Sequence, residues 1–296
     1  MKILRLLFVS AVLLVLAGAC DIIEAPYLDN PSQASIDEQC LLDAQQIEPF
    51  GPSNTITKKV LLEEMTGHKC GNCPDASKVA HKLIDEKFAG QLILVTIHSG
   101  PLAKAFPNAD KYFTDFTTDE GDELYSELNS SSAVPFGMID RINMNNNENS
   151  WESFISAELD KAPEAGIRIY SCYDPDSMKA TSVIDIKYLV NATADEYLSV
   201  YLVEDNIVDW QTDYTPPGNS PDLPDYVHRD VFRGTFNGTW GQPLTDGNIA
   251  ANDQFTVSYS LNLKESFKPE NCKIVAFVHN ISTREIRQVE SVPLVQ

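Results

Sequence analysis

Cys70 and Cys73 stand where two unlike patterns meet. The apolar run Val60-Leu61-Leu62 precedes them, and Ala76, Val79, Ala80, Leu83, Ile84 and Phe88 recur at helical spacing directly after them. Leu92 to Ile97 is a second apolar, β-branched run too short for a helix. Strand, helix, strand in that order implies a parallel pair joined by a right-handed crossover, so the two thiols fall at the C-terminal edge of a βαβ unit. Thr66-Gly67-His68-Lys69 reads as the turn into the motif, and Pro74 with Asp75 suits a first helical turn, where a missing N–H costs nothing and an acid meets the dipole. A thiol just outside a helix N-terminus has its pKa lowered from about 8.5 into the range of about 3.5–7.5. Cys70 is therefore the candidate nucleophile, and Cys73, one turn on, the candidate resolving thiol. Lys69 and His68 are expected to add positive potential there, and Asp75 to oppose it.

The rest of the chain divides by its period. Residues 112–133 carry six acids and no base, with Leu124, Tyr125 and Leu128 on one stripe, and read as a solvated helix plus loop. Ala133 to Ile139 enters a third strand and Trp151 to Leu159 a closing helix. From Ile167 the period is two: Ile184, Ile186, Tyr188 and Val190, then Phe255, Val257, Tyr259, Leu261 and Leu263, alternate with polar neighbours, and Ile274 to Val278 is a buried run. Further strands are expected near Leu198 to Val203 and Arg284 to Val292, with a long Pro-rich loop over 213–226. The pattern predicts an antiparallel sandwich of the immunoglobulin-like kind. No internal repeat is present. The domains expected are a signal peptide over 1–19, a lipidated cysteine and tether over 20–56, an α/β domain over 57–163 and an all-β sandwich over 164–296.

The N-terminus supplies an address. Lys2 and Arg5 precede the apolar run Leu6 to Leu16, too short for a membrane-spanning helix of about 20 residues. The run ends in Leu16-Ala17-Gly18-Ala19-Cys20, which resembles the lipobox of bacterial lipoproteins and predicts cleavage before Cys20 and lipid attachment to it; ordinary secretion after Ala17 or Ala19 is the other reading. A net charge of -21, from 43 acids against 22 bases, repels phosphate backbones and excludes nucleic acid as a natural partner. Cys40, Cys70, Cys73, Cys172 and Cys272 remain in an oxidising compartment. A structural disulfide between Cys172 and Cys272 is expected, two buried free thiols being the alternative, and Cys40 is then left over. Zinc would need two further ligands beside Cys70 and Cys73, so no metal is expected. His98, His228 and His279 have no Ser or Asp partner at a recognisable spacing and read as structural.

Residues 57 to about 162 resemble the thioredoxin-like superfamily. That resemblance implies a nucleophilic Cys70, a resolving Cys73, a buried acid at Glu64 that takes the resolving thiol's proton, and a cis-proline at Val134-Pro135 that holds the substrate backbone. Lys69 departs from the Trp that usually precedes the first cysteine, and the acidic segment over 108–130 is longer than the minimal fold needs. A closer resemblance, to the Bacteroidota outer-membrane lipoproteins of the outer-membrane protein twenty-eight family, rests on Glu63-Glu64-Met65-Thr66-Gly67-His68 with Cys70-Gly71-Asn72-Cys73-Pro74, on Pro135 to Arg141, on Tyr226 to Arg233 and on Ile274 to Asn280. It implies outer-membrane attachment through the lipid and a β domain after the thioredoxin-like one. Two functions stay open. One is a thiol–disulfide oxidoreductase acting on extracytoplasmic proteins, with no cofactor beyond its dithiol and with a redox partner to reset it. The other is a redox-inactive lipoprotein that binds a surface ligand or adheres through its sandwich.

Overall fold

The structure is a computed structural model that describes residues 38–44, 49–52, 55–106, 110–216, 218 and 220–295. The expected signal peptide, Cys20 and the first part of the expected tether lie outside the described residues. The first half runs α1 (Glu38–Ala44), β1 (Val60–Thr66), α2 (Cys73–Lys82), β2 (Leu92–His98), α3 (Asp119–Leu128), β3 (Phe136–Ile139), β4 (Asn143–Asn145) and α4 (Trp151–Leu159). The second half supplies β5 (Ala165–Asp174), β6 (Lys179–Tyr188), β7 (Glu196–Glu204), β8 (Ile207–Thr212), β9 (Asp222–His228), β10 (Val231–Thr235), β11 (Gln242–Pro243), β12 (Gln254–Asn262), β13 (Cys272–Asn280) and β14 (Ile286–Pro293).

Apolar residues on both faces of β1 and β2 demand cover on both sides, and the two strands pair in parallel from Val60 with Leu92 to Thr66 with His98. Helix α2 is the crossover, continued by a π-turn over Leu83–Lys87. The acidic segment becomes helical at Asp119, where the Thr118 hydroxyl accepts the Gly121 N–H at 2.9 Å and Asp119, Glu120 and Asp122 sit at the positive end of the dipole. β3 then lies antiparallel to β1, Met65 opposite Phe136, and β4 closes a hairpin on β3.

Strands from both halves share one nine-stranded mixed sheet, ordered β14-β13-β7-β10-β2-β1-β3-β4 with β11 beside β7. The seam is narrow. β10 meets β2 in parallel through the single pair Val231 and Thr96, strengthened by Thr96 N–H to Asp230 C=O at 2.7 Å and the Thr96 hydroxyl to Arg229 C=O at 2.9 Å. Hydrogen bonding in this sheet thus runs across the boundary expected at 163–164.

Alternation along each strand sorts the sheet's side chains into layers. Leu61, Met65, Val95, Ile97, Tyr201, Val203, Val275 and Phe277 share a core with Leu124 and Leu128 of α3. On the other face, Val60, Leu62, Leu92 and Leu94 pack against Ala76 and Ala80 of α2 and Trp151 and Ile155 of α4. Further along, Leu198, Val200, Leu202, Ile274, Ala276 and Val278 meet Ala165, Ile167, Ile169, Ala180, Ile184 and Ile186 of a separate antiparallel sheet, β12-β6-β5.

Three sequence expectations change. Cys172 is bonded to Cys40, with Cα atoms 6.2 Å apart, and Cys272 is a buried free thiol on β13 that burial and Glu204 push up to about 12. The reason is topological: Cys172 and Cys272 sit on strands of two different sheets, and α1 docks against β5 and β6. Part of the expected tether is therefore held to the fold; Phe50 lies under the Arg168 guanidinium at 4.2 Å. The Pro-rich loop is also shorter than expected, because Asp222–His228 pairs with β8 as β9, a largely exposed strand whose Pro224 hides the alternation.

Candidate functional site

The C-terminal end of β1 delivers the chain to the cysteine turn. Gly67 is required there, since a Cβ would lie 2.8 Å from the Leu102 carbonyl group. Lys69 N–H donates to Leu102 C=O at 3.0 Å and Cys70 N–H to Gly67 C=O at 2.9 Å, closing the turn. Cys70 and Cys73 form a disulfide with Cα atoms 5.5 Å apart, and α2 starts at Cys73 with Pro74 in its first turn. Asp75, exposed at that helix start, accepts from Lys78 at 2.9 Å and from the Thr215 hydroxyl, bonds that hold its carboxyl below the usual range.

Register brings the other predicted residues to the same place. With Met65 opposite Phe136, the peptide Val134-Pro135 falls beside the cysteine turn. That bond is cis, and the Val134 carbonyl oxygen lies 3.7 Å from Cys70 Sγ. Glu64 is wholly buried, neither carboxylate oxygen has a hydrogen-bond partner among the described residues, and it lines a cavity of about 20 Å³ with Cys73, His98, Tyr226 and His228. Burial first, then the negative charges of Asp230 and Glu148, push its carboxyl up to about 8. Glu64 is thus protonated at neutral pH, and the cavity is large enough for about one water molecule and no more.

Of the histidines beneath the turn, His68 departs from the sequence reading. His68 is buried between the rings of Tyr112 (5.4 Å) and Phe116 (5.2 Å), with neither ring nitrogen hydrogen-bonded among the described residues, and burial followed by His228 and Lys69 lowers it to about 4. It is neutral and adds no positive potential to Cys70. His98 stacks on the same Phe116 at 4.9 Å and His228 lies tilted against it at 4.8 Å, and burial lowers both, His228 to about 4. Nothing in the spacing of 68, 98, 116 and 228 signals this cluster, because each comes from a different element. Among the described residues no group of His, Cys, Asp or Glu is arranged to hold a metal.

The second half also contributes a strap that sequence reading misses. At the end of β8 and just beyond it, Gln211 Nε2 donates to Cys70 C=O at 3.0 Å, Thr212 N–H to His68 C=O at 2.8 Å and Tyr214 N–H to Gly71 C=O at 2.8 Å. Cys70 is 5% exposed and Cys73 2%. Beside the turn opens a cleft of about 720 Å³ lined by Lys69, Leu102, Phe106, Lys111, Tyr112 and Asp222.

A βαβ unit with a C-x-x-C disulfide at its strand ends, extended in the same sheet by strands of a β-rich second half, defines the class. Residues 122–296, more than half of the chain, match the family described as outer membrane protein Omp28. The chain belongs to that family, which places it at the outer membrane. Among solved structures it is similar to HBP35 of Porphyromonas gingivalis, with a TM-score of 0.61 and 18% identity over 81% of this chain and 76% of that one. That likeness shows a shared fold. A domain of the outer membrane lipoprotein Omp28 from Porphyromonas gingivalis matches with 20% identity over 46% of this chain and 91% of that chain, at a TM-score of 0.29. No curated protein sequence matches. The family match begins beyond Cys73, so what Cys70 and Cys73 do has to be argued from their surroundings.

Proposed function

We propose that this outer-membrane protein is a lipoprotein held by acyl chains on Cys20, in which residues 57–163 form a thioredoxin-like domain, residues 164–296 an immunoglobulin-like sandwich, and Cys70 with Cys73 exchanges thiols with extracytoplasmic proteins. One observation carries the reading: the disulfide sits at the start of α2 with the Val134 carbonyl facing Cys70 and the unpaired Glu64 carboxyl opening on the same cavity as Cys73. In the oxidising direction a substrate thiolate attacks Cys70 Sγ, the bond to Cys73 breaks, and Cys73 leaves as a thiolate that takes the proton of Glu64. A second substrate thiolate then displaces Cys70, so the substrate gains a disulfide and the electron pair stays on Cys70 and Cys73. The reverse sequence reduces a substrate disulfide. Val134 and Pro135 border the substrate backbone, and a redox partner resets the pair.

Burial of both sulfurs favours a second reading, in which the disulfide is a static staple and the β-sandwich binds a surface ligand. The reduction potential of the pair separates the two. A value between about -270 and -120 mV fits an exchanger, and one below about -300 mV a staple. A Cys73→Ser variant is expected to trap mixed disulfides through Cys70; if none forms with any periplasmic extract, exchange is refuted.

A further inference from the structure

We propose that Gln211–Thr215 is a gate over the Cys70–Cys73 disulfide, and that the bond reacts only after this strap has lifted from the turn; the proposal deepens the exchange reading and rests on it. The strap engages the three carbonyls that surround the reacting bond: His68 and Gly71 accept backbone N–H groups of Thr212 and Tyr214 at 2.8 Å, and Cys70 accepts Gln211 Nε2 at 3.0 Å. Thr212 and Tyr214 are two residues apart, so they present the same edge of an extended segment to the turn. Tyr214 then lies across Gly71 so closely that a Cβ there would meet its ring at 2.4 Å. Only a glycine lets the lid sit this low.

The contact is built to be undone. At Tyr214 the strap faces water, the residue being 67% exposed, so lifting that residue uncovers little apolar surface, while Gln211 and Asp213 on either side of Thr212 are buried. Its far end is tied through the Thr215 hydroxyl to Asp75 at 3.1 Å, on an exposed helix start. Backbone bonds of this kind are replaced by water on opening and individually hold little. Below the turn, by contrast, His68, His98 and His228 are buried around Phe116 and form the floor. Reaction from above is therefore controlled by the strap and not by the packing underneath.

The test is the rate at which dithiothreitol reduces Cys70–Cys73 in the full chain, read as alkylation of Cys70 by mass spectrometry so that Cys40–Cys172 does not contribute. One reagent thiolate attacks Cys70 Sγ, Cys73 leaves and is protonated, and the second reagent thiol displaces Cys70, giving two protein thiols and the oxidised cyclic reagent. Tyr214→Ala is expected to speed this by about tenfold, the factor for ~1.4 kcal/mol of lost closure. Thr215→Val is expected to speed it by a smaller factor, and Val190→Ala, an exposed site after β6, to leave it unchanged. If neither strap variant reacts faster than the native chain, the gate is refuted. The potential of the native pair judges the exchange reading separately: an inert potential with accelerated variants would sink exchange and leave the gate standing.

Discussion

The two faces of β1 carry adjacent glutamates in opposite circumstances. Glu63 and Glu64 are both wholly buried, one on each side of the strand. Toward the α3 side, Glu63 accepts two hydrogen bonds from Arg141, at 2.6 and 2.7 Å, and Arg141 also donates to the Tyr201 hydroxyl at 3.0 Å. Its charge is matched, and the pair pushes the Arg141 pKa upward. Toward the α2 side, Glu64 has no hydrogen-bond partner among the described residues and is held neutral by burial. A buried acid that is paired belongs to the architecture; one left unpaired costs stability and stays protonated. The same residue type, one position apart, is assigned a different role by what the opposite face brings to it.

Breaking the paired side should have the largest effect. Glu63→Gln leaves Arg141 buried without its counter-charge, and urea unfolding is expected to show a loss of about 3–5 kcal/mol. Glu64→Gln should do the opposite. Its folded pKa of about 8 lies above the ordinary value of 4.5, so between these values the folded state holds the proton that the unfolded state has lost. Stability is therefore full below about pH 4.5 and declines as pH rises toward 8. The variant should match the parent near pH 4.5 and exceed it by up to about 4 kcal/mol at pH 8. A gap that does not widen with pH would mean that Glu64 finds a partner in solution.

Histidine 68 has the reverse sign. Folded, it titrates near 4 against 6.5 for the free side chain, so the unfolded state takes up protons first as pH falls, and stability present above pH 6.5 is lost toward pH 4. His68→Phe, between two aromatic rings, should remove up to about 3 kcal/mol of that acid sensitivity in melts from pH 7 to pH 4. The smallest effects compare two glycines at which a Cβ would come within 2.4 Å of an aromatic ring. Gly137→Ala drives into Trp151, which is fully buried, and should cost about 1–3 kcal/mol by overpacking. Gly71→Ala meets the exposed ring of Tyr214, which can swing into water, and should shift the thermal midpoint far less. Equal losses would show that Tyr214 is as rigidly held as the core.

The βαβ unit, the placement of both thiols at the start of α2, and most strands of the second half were legible because they rest on local rules: a period of two or 3.6 and a proline in a first turn. Glu64 and Val134-Pro135 came from a family resemblance rather than from any spacing, and the structure places both at the cysteine turn. The Cys40–Cys172 bridge and the neutral state of His68 were not legible. Alternation says which face of a strand is apolar and not which strand lies beside it, and the charge on His68 depends on rings 44 and 48 positions further along the chain.

By itself, then, the amino-acid order determined a Cys-x-x-Cys turn between a strand and a helix, a β-rich second half, and an acidic chain. Tertiary structure decided that both halves share one sheet, that Glu63 is paired while Glu64 is not, and that a strap more than a hundred residues away lies over the disulfide. The physical reason is range: backbone geometry and capping act over a turn or two, whereas burial, counter-charges and lids are set by contacts that exist only once distant segments have docked.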